Sequence, residues 1–135
     1  VYVAETDEQA RAEAKPHFEA LRNVFLRMPI EMLLPPGYTS RESLKNVMKA
    51  KAEMFGDVTI DKAIELGLFV CGSPGTVRQA FAGYWTEMRF GNLLVLCQFG
   101  TLPADLTRTN MELFAREVMP ALKALGPPAG ATAAA

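Results

Sequence analysis

The chain opens on a short apolar run and then changes period. Val1-Tyr2-Val3-Ala4 is β-branched and aromatic, which predicts a strand. From Ala10 the apolar positions return every three or four residues, at Ala14, Phe18, Leu21, Phe25 and Met28, which predicts an amphipathic helix. Thr6 and Gln9 have capping-box spacing at its start, and Asp7 and Glu8 suit the positive end of a helix dipole. Pro16 falls inside the pattern, so a kink or break is expected there. Between Met28 and Ser43 the chain carries Pro29, Pro35, Pro36 and Gly37, which forbid a continuous helix. Ile30, Met32, Leu33, Leu34 and Tyr38 make the same segment too apolar for a solvated loop, so it is expected to cover a core edge, a partner or a ligand. Thr39 and Glu42 repeat the capping-box spacing and predict a helix over 41–54, with Lys45, Lys49 and Lys51 on a solvated face. A short helix over 59–66 closes at Gly67.

Leu68 to Cys71 is nearly all apolar, as a strand covered on both faces should be. Ser73 is placed to cap a helix over 74–89, and Pro74 sits in the first turn, where its missing N–H is not needed. Val77, Phe81, Tyr84, Trp85 and Met88 mark the buried face of that helix, and Gly91 ends it. The run 92–99, "NLLVLCQF", predicts a third strand. A last helix is expected over 104–125, with Leu106, Leu113, Phe114, Val118 and Leu122 inward and Pro120 disturbing its final turns. Residues 126–135, "GPPAGATAAA", have too little bulk to pack and are expected to form a loose tail. The order of strands and helices predicts βαβ units on a parallel sheet. Three strands are few for such a sheet, and two of them would be edges with unpaired backbone groups.

Composition narrows the function classes. Half of the 135 residues are hydrophobic and the net charge is -1, a globular balance that argues against a general polyanion binder, nucleic acid included. No apolar run is long enough to span a bilayer, so the expected location is the cytoplasm and not a membrane. Val1 in place of Met reads as a processing or proteolysis boundary. Cys71 and Cys97 each lie in an apolar run without C-x-x-C spacing, and His17 is the one histidine, so neither a disulfide framework nor a zinc site is expected.

Four segments occur in a fixed order: "VYVAETDEQARAEA" over Val1 to Ala14, "LPPGYTS" over Leu34 to Ser40, "GLFVCGSPGTV" over Gly67 to Val77, and "QFGTLP" with "MELFAREVMPAL" between Gln98 and Leu122. Together they resemble the C-terminal part of the luciferase-like, flavin-dependent monooxygenases. The resemblance covers nearly the whole chain apart from the alanine-rich tail. That family folds as a (β/α)8 barrel of about 250 residues or more. The resemblance therefore implies an α/β architecture for residues 1–125, a partial TIM barrel made of about the last three β/α units with parallel strands. It also implies chemistry in which reduced flavin mononucleotide (FMN) and dioxygen oxygenate an organic substrate, the flavin carrying the hard step. The family's main phosphate loop and the polar residues that manage the flavin hydroperoxide lie upstream of these segments. This chain alone is accordingly expected to bind FMN weakly or not at all and to be inactive, contributing a barrel wall and an active-site lid. Its expected partners are a second copy or the missing N-terminal portion, and the resemblance admits a flavin reductase. The alternative reading is a non-catalytic half-barrel that works by association without flavin.

The candidate site residues follow from position. Gly72 and Ser73 lie between a strand and a helix start, where free N–H groups favour an anion such as a flavin phosphate; plain helix capping is the other reading. Pro74 removes one donor, Arg78 is the one basic residue nearby, and Gly75 stands where family members usually have an acid. Gln98 and Phe99 end the third apolar run, where a barrel puts its ligand; Gln98 suits either a substrate or flavin atom or nearby backbone. Gly37 and Tyr38 lie in the segment that corresponds to a variable stretch over flavin and substrate, and Tyr38 either lines that pocket or packs on outer helices. No nucleophile stands beside a base, and no paired acids stand out, so hydrolase chemistry is not expected.

Overall fold

The computed structural model describes residues 1–26, 37, 40–46 and 58–126. Strand β1 (Tyr2–Val3) is followed by helix α1 (Asp7–Ala20) and a π-helical turn, Leu21–Phe25. Residues 41–46 are helical. Helix α2 (Ile60–Glu65), strand β2 (Cys71–Gly72) and helix α3 (Pro74–Met88) come next. Helix α4 (Ala104–Leu113), a second π-helical turn over Phe114–Val118, and helix α5 (Met119–Lys123) complete the order.

The expected partial (β/α)8 barrel does not form. The described residues are mostly helical, and the one ladder among them joins two strands of two residues each, in parallel, with Tyr2 opposite Cys71 and Val3 opposite Gly72. The run 92–99 enters no ladder. Its placement shows why a barrel reading fails. Tyr2 N–H and Ala4 N–H donate to Val70 and Gly72 on one side of β1. The Val1 nitrogen donates to the Leu96 carbonyl, 2.8 Å away, on the other. β1 is thus the middle element, whereas consecutive barrel units would put β2 in the middle.

What stands between β1 and the 92–99 run is a side chain. Asn110, on α4, is fully buried. Its Oδ1 accepts from Val3 N–H at 2.9 Å, and its Nδ2 donates to the carbonyls of Val1 at 3.1 Å and Cys97 at 2.8 Å. A carboxamide has the donors and acceptor of a peptide group, so it satisfies the edge of β1 as a strand would.

Two apolar clusters flank this short ladder. On one face Tyr2, Phe18, Ile60, Phe69, Cys71 and Phe99 pack under α1 and α2. Their rings meet in series, Phe18 to Phe69 at 4.6 Å and Phe69 to Phe99 at 5.1 Å between centroids. On the other face Val3, Val77, Phe81, Leu113 and Val118 pack between α3 and α4. The alternation Tyr2-in, Val3-out that splits these clusters is the period of two expected of a strand.

Several terminus signals act as their chemistry requires. Thr6 caps α1 by accepting from Gln9 N–H at 3.1 Å, but the Gln9 side chain turns forward to Glu13, so half of the capping box forms. Thr59 caps α2, and Gly67, at φ 71, closes it. Ser40, one residue after Thr39, accepts from Ser43 N–H and caps the helical turn at 41–46; the rest of the expected 41–54 helix, and all of 127–135, lie outside the described residues. α3 ends at Arg89, in the left-handed region at φ 50, two residues before Gly91. Pro16 does not break α1, which runs through it to Ala20. Pro120 withholds the donor that Arg116 would otherwise meet, and the helix widens to a π turn just before it. That widening leaves the Glu117 carbonyl for Arg78, which donates to it at 2.9 Å. At Gly100, φ 54, a Cβ would run into the His17 carbonyl oxygen, so α1 can lie against this turn only because the residue is glycine.

Replacing Asn110 by alanine leaves the buried Val3 N–H and the part-buried Val1 and Cys97 carbonyls without their partner. The expected cost is about 3 kcal/mol of unfolding free energy, read from the urea midpoint. Asn110→Asp is expected to cost at least as much, because a carboxylate cannot donate to the Val1 and Cys97 carbonyls.

Candidate functional site

The turn between β2 and α3 is the place where an anion was expected. Ser73 accepts from Thr76 N–H at 3.4 Å and from no charged group, as a helix cap does. The free N–H of Ser73 itself points at a carboxylate supplied by the chain. Asp7 Oδ1 accepts from Ser73 N–H at 2.6 Å, and Oδ2 accepts from the Thr76 hydroxyl at 3.0 Å. The positive end of α3 is thus already filled, and an incoming phosphate would have to displace an internal anion. Gly72 makes this close approach feasible, since a Cβ there would stand 2.6 Å from Asp7 Oδ1 and 2.9 Å from Thr76 Cγ2. Hydrogen bonding from the Ser73 backbone, and next from the Thr76 hydroxyl, holds the Asp7 carboxyl below the usual aspartate value.

The other candidates do not converge on this turn. Gln98 is exposed, and its amide donates to the Gly100 carbonyl at 3.5 Å, so it serves its own turn. Phe99 is buried in the ring series under α1, not at a mouth. Gly37 is exposed at φ 89 with open space around it, and Tyr38 lies outside the described residues, as does the apolar stretch around Leu33 and Leu34. His17 Nδ1 lies 2.8 Å from the Thr101 hydroxyl.

The two thiols are not poised for chemistry. Burial pushes the Cys71 thiol up to about 12 and raises that of Cys97 as well. Both are free cysteines. Among the described residues no group of histidine, cysteine, aspartate and glutamate could hold a metal ion, and no helix is long and apolar enough to cross a membrane.

A concave feature of the described surface lies elsewhere. A half-open cleft of about 430 Å³ runs between the end of α3, the segment after it and the last helix. Trp85, Phe90, Phe114, Met119 and Leu122 form its walls, with Leu93 and Val95 along one side and Lys123 at its edge. Sequence reading placed Trp85 and Phe114 inward but did not bring them together. The signal that could have done so is the clustering of three aromatics at the ends of two helices that pack through Phe81 and Phe114.

Comparison with family models, with curated proteins and with solved structures finds no match for this chain. The monooxygenase resemblance therefore rests on the four quoted segments alone.

Replacing Asp7 by alanine is expected to destabilise the protein by about 1 kcal/mol at pH 7 through loss of the bridge to α3. The Asp7 carboxyl titrates lower in the folded protein than in the unfolded chain. Its contribution is present above the unfolded aspartate value near 3.9 and is lost as pH falls through the folded one. Urea melts of the parent and the variant should converge as pH is lowered below about 4.

Proposed function

We propose that this chain works by association, presenting an apolar edge to a second copy of itself, and that it carries no catalytic machinery of its own. The observation that carries the reading is the run 92–98. Leu94 is 98 % exposed and Leu96 67 % exposed, beside backbone that has left the ladder. Two large leucines in water two residues apart are a liability for a monomer, and a partner removes it. Because both copies would offer the same edge, a closed two-fold pairing is the simplest solution. The occupation of the Ser73 N–H at the head of α3 by the chain's own Asp7 supports a non-catalytic role.

A second reading follows from the resemblance. In it the chain belongs to a larger monooxygenase that uses reduced FMN and dioxygen, with the cofactor loops on another polypeptide. The order of the four quoted segments favours it. Flavin absorbance together with intact mass, measured on the protein isolated with its natural partners, separates the two readings.

Sedimentation equilibrium at tens of micromolar should give about twice the 14.8 kDa chain mass. Leu94→Lys should return the protein to a monomer whose urea midpoint no longer depends on protein concentration. A monomeric parent would overturn the association reading.

Titration of the chain alone with oxidised and reduced FMN should show no saturable binding in the micromolar range. Stoichiometric uptake would instead make Gly72, Ser73 and Gln98 the first residues to substitute.

A further inference from the structure

We infer that the cleft beside Trp85 is a binding site for a small aromatic carboxylate. Three observations point to it. The walls carry three aromatic rings, from Trp85, Phe90 and Phe114, with Leu93, Leu122 and Met119 between them, which suits a flat apolar body. The volume of about 430 Å³ is that of a small-molecule site. The one charged residue of its lining is a cation. Lys123 lines the cleft, and the Arg89 guanidinium stacks on Trp85 with its carbon 4.3 Å from the ring centroid. None of the lining residues is acidic, and Lys123 has no ion-pair partner among the described residues.

One effect opposes an anion. α3 and the last helix both end at this cleft, and each C-terminus contributes about half a negative charge. Part of that is already met inside the chain: the Trp85 carbonyl accepts from Arg89 N–H, and the Lys123 carbonyl accepts from Gly126 N–H. Two full positive charges, Arg89 and Lys123, outweigh the remainder. Lys123 is a single cation without an ion-pair partner among the described residues, and Arg89 is engaged with the Trp85 ring. That matches a monoanion better than a phosphate ester, which would call for several donors at a helix N-terminus.

The cleft is also distinct from the edge assigned to association. Leu93 and Val95 face the cleft while Leu94 and Leu96 do not line it, the alternation of one run with a period of two. The site therefore does not depend on the association reading.

The test uses the single tryptophan, Trp85, whose indole N–H gives one cross-peak in an amide nitrogen–proton correlation spectrum. The intact chain and its Leu94→Lys variant are titrated with 2-naphthoate, with the neutral 2-naphthalenemethanol and with the cationic 2-naphthylmethylammonium. The expected result is a saturable shift of the Trp85 peak by 2-naphthoate below about 1 mM in both proteins, with weaker binding of the alcohol and weakest of the ammonium. Lys123→Ala should weaken 2-naphthoate about fivefold and leave the alcohol unchanged, and Lys123→Arg should restore the carboxylate. The inference is overturned by a lack of saturation at that concentration, by ammonium binding equal to or tighter than carboxylate binding, or by Lys123→Ala having no effect on 2-naphthoate. Saturation in the Leu94→Lys variant but not in the parent would mean that the partner copy covers the cleft, and would overturn it for the assembled protein.

Discussion

The buried carboxamide of Asn110 is the interaction on which the arrangement of this chain depends. A two-residue strand has almost no ladder of its own, yet β1 lies in the middle of the molecule with both sides of its backbone committed. β2 satisfies one side, and Asn110 satisfies the other while also holding Cys97. A buried peptide group without a partner costs more than a made hydrogen bond returns, so the side chain does more than add a contact. It sets how close α4 must come to β1, and therefore how Leu113 and Val118 meet Val3, Val77 and Phe81 in the cluster behind it.

Much of the helical half of the fold was legible in sequence, because helix termini are local chemistry. Thr6 and Ser73 cap where the sequence places them, and Gly67 closes the short helix. The sheet was not legible, for a physical reason. A strand is an agreement between distant segments, and apolar runs such as Leu68–Cys71 and 92–99 report burial without naming a partner. Their run-on apolar pattern suggested a covered parallel sheet. In the structure, β2 passes within two residues into the cap of α3. The partner groups that the third run would have used on β1 are taken by an asparagine on a helix. Nothing in the spacing of Asn110, in a run that otherwise reads as amphipathic helix, announces that it replaces a strand.

The candidate site shows the same division. Strand, glycine, Ser-Pro and helix correctly marked a helix N-terminus, and the weighing of capping against anion binding turned on local residues. What decided it was Asp7, 66 positions from Ser73, which sequence reading had assigned to its own helix. The carboxylate stabilises both helix starts at once, since it sits in the first turn of α1 and accepts from the Ser73 N–H and the Thr76 hydroxyl at the head of α3. One acidic side chain thereby takes the Ser73 N–H that the motif would offer an anion.

The run 92–99 shows how a failed strand remains useful. Had it joined a ladder, its outward leucines would have faced a covering helix, and its alternate residues would have filled a sheet core. Outside the ladder the period of two persists, but its two faces come to different surroundings. Leu93 and Val95 close the side of an aromatic cleft, Leu94 and Leu96 face water, and Phe99 at the end of the run returns to the ring series beneath α1. The run is fixed at that end by the Cys97 carbonyl on Asn110 and by the Gly100 turn against α1. It is fixed nearer its middle by the Leu96 carbonyl on Val1. Those anchors leave the stretch from Asn92 to Val95 determined by side-chain packing more than by backbone pairing. A segment of that kind can both line a pocket and offer an edge, because no ladder has claimed its two faces.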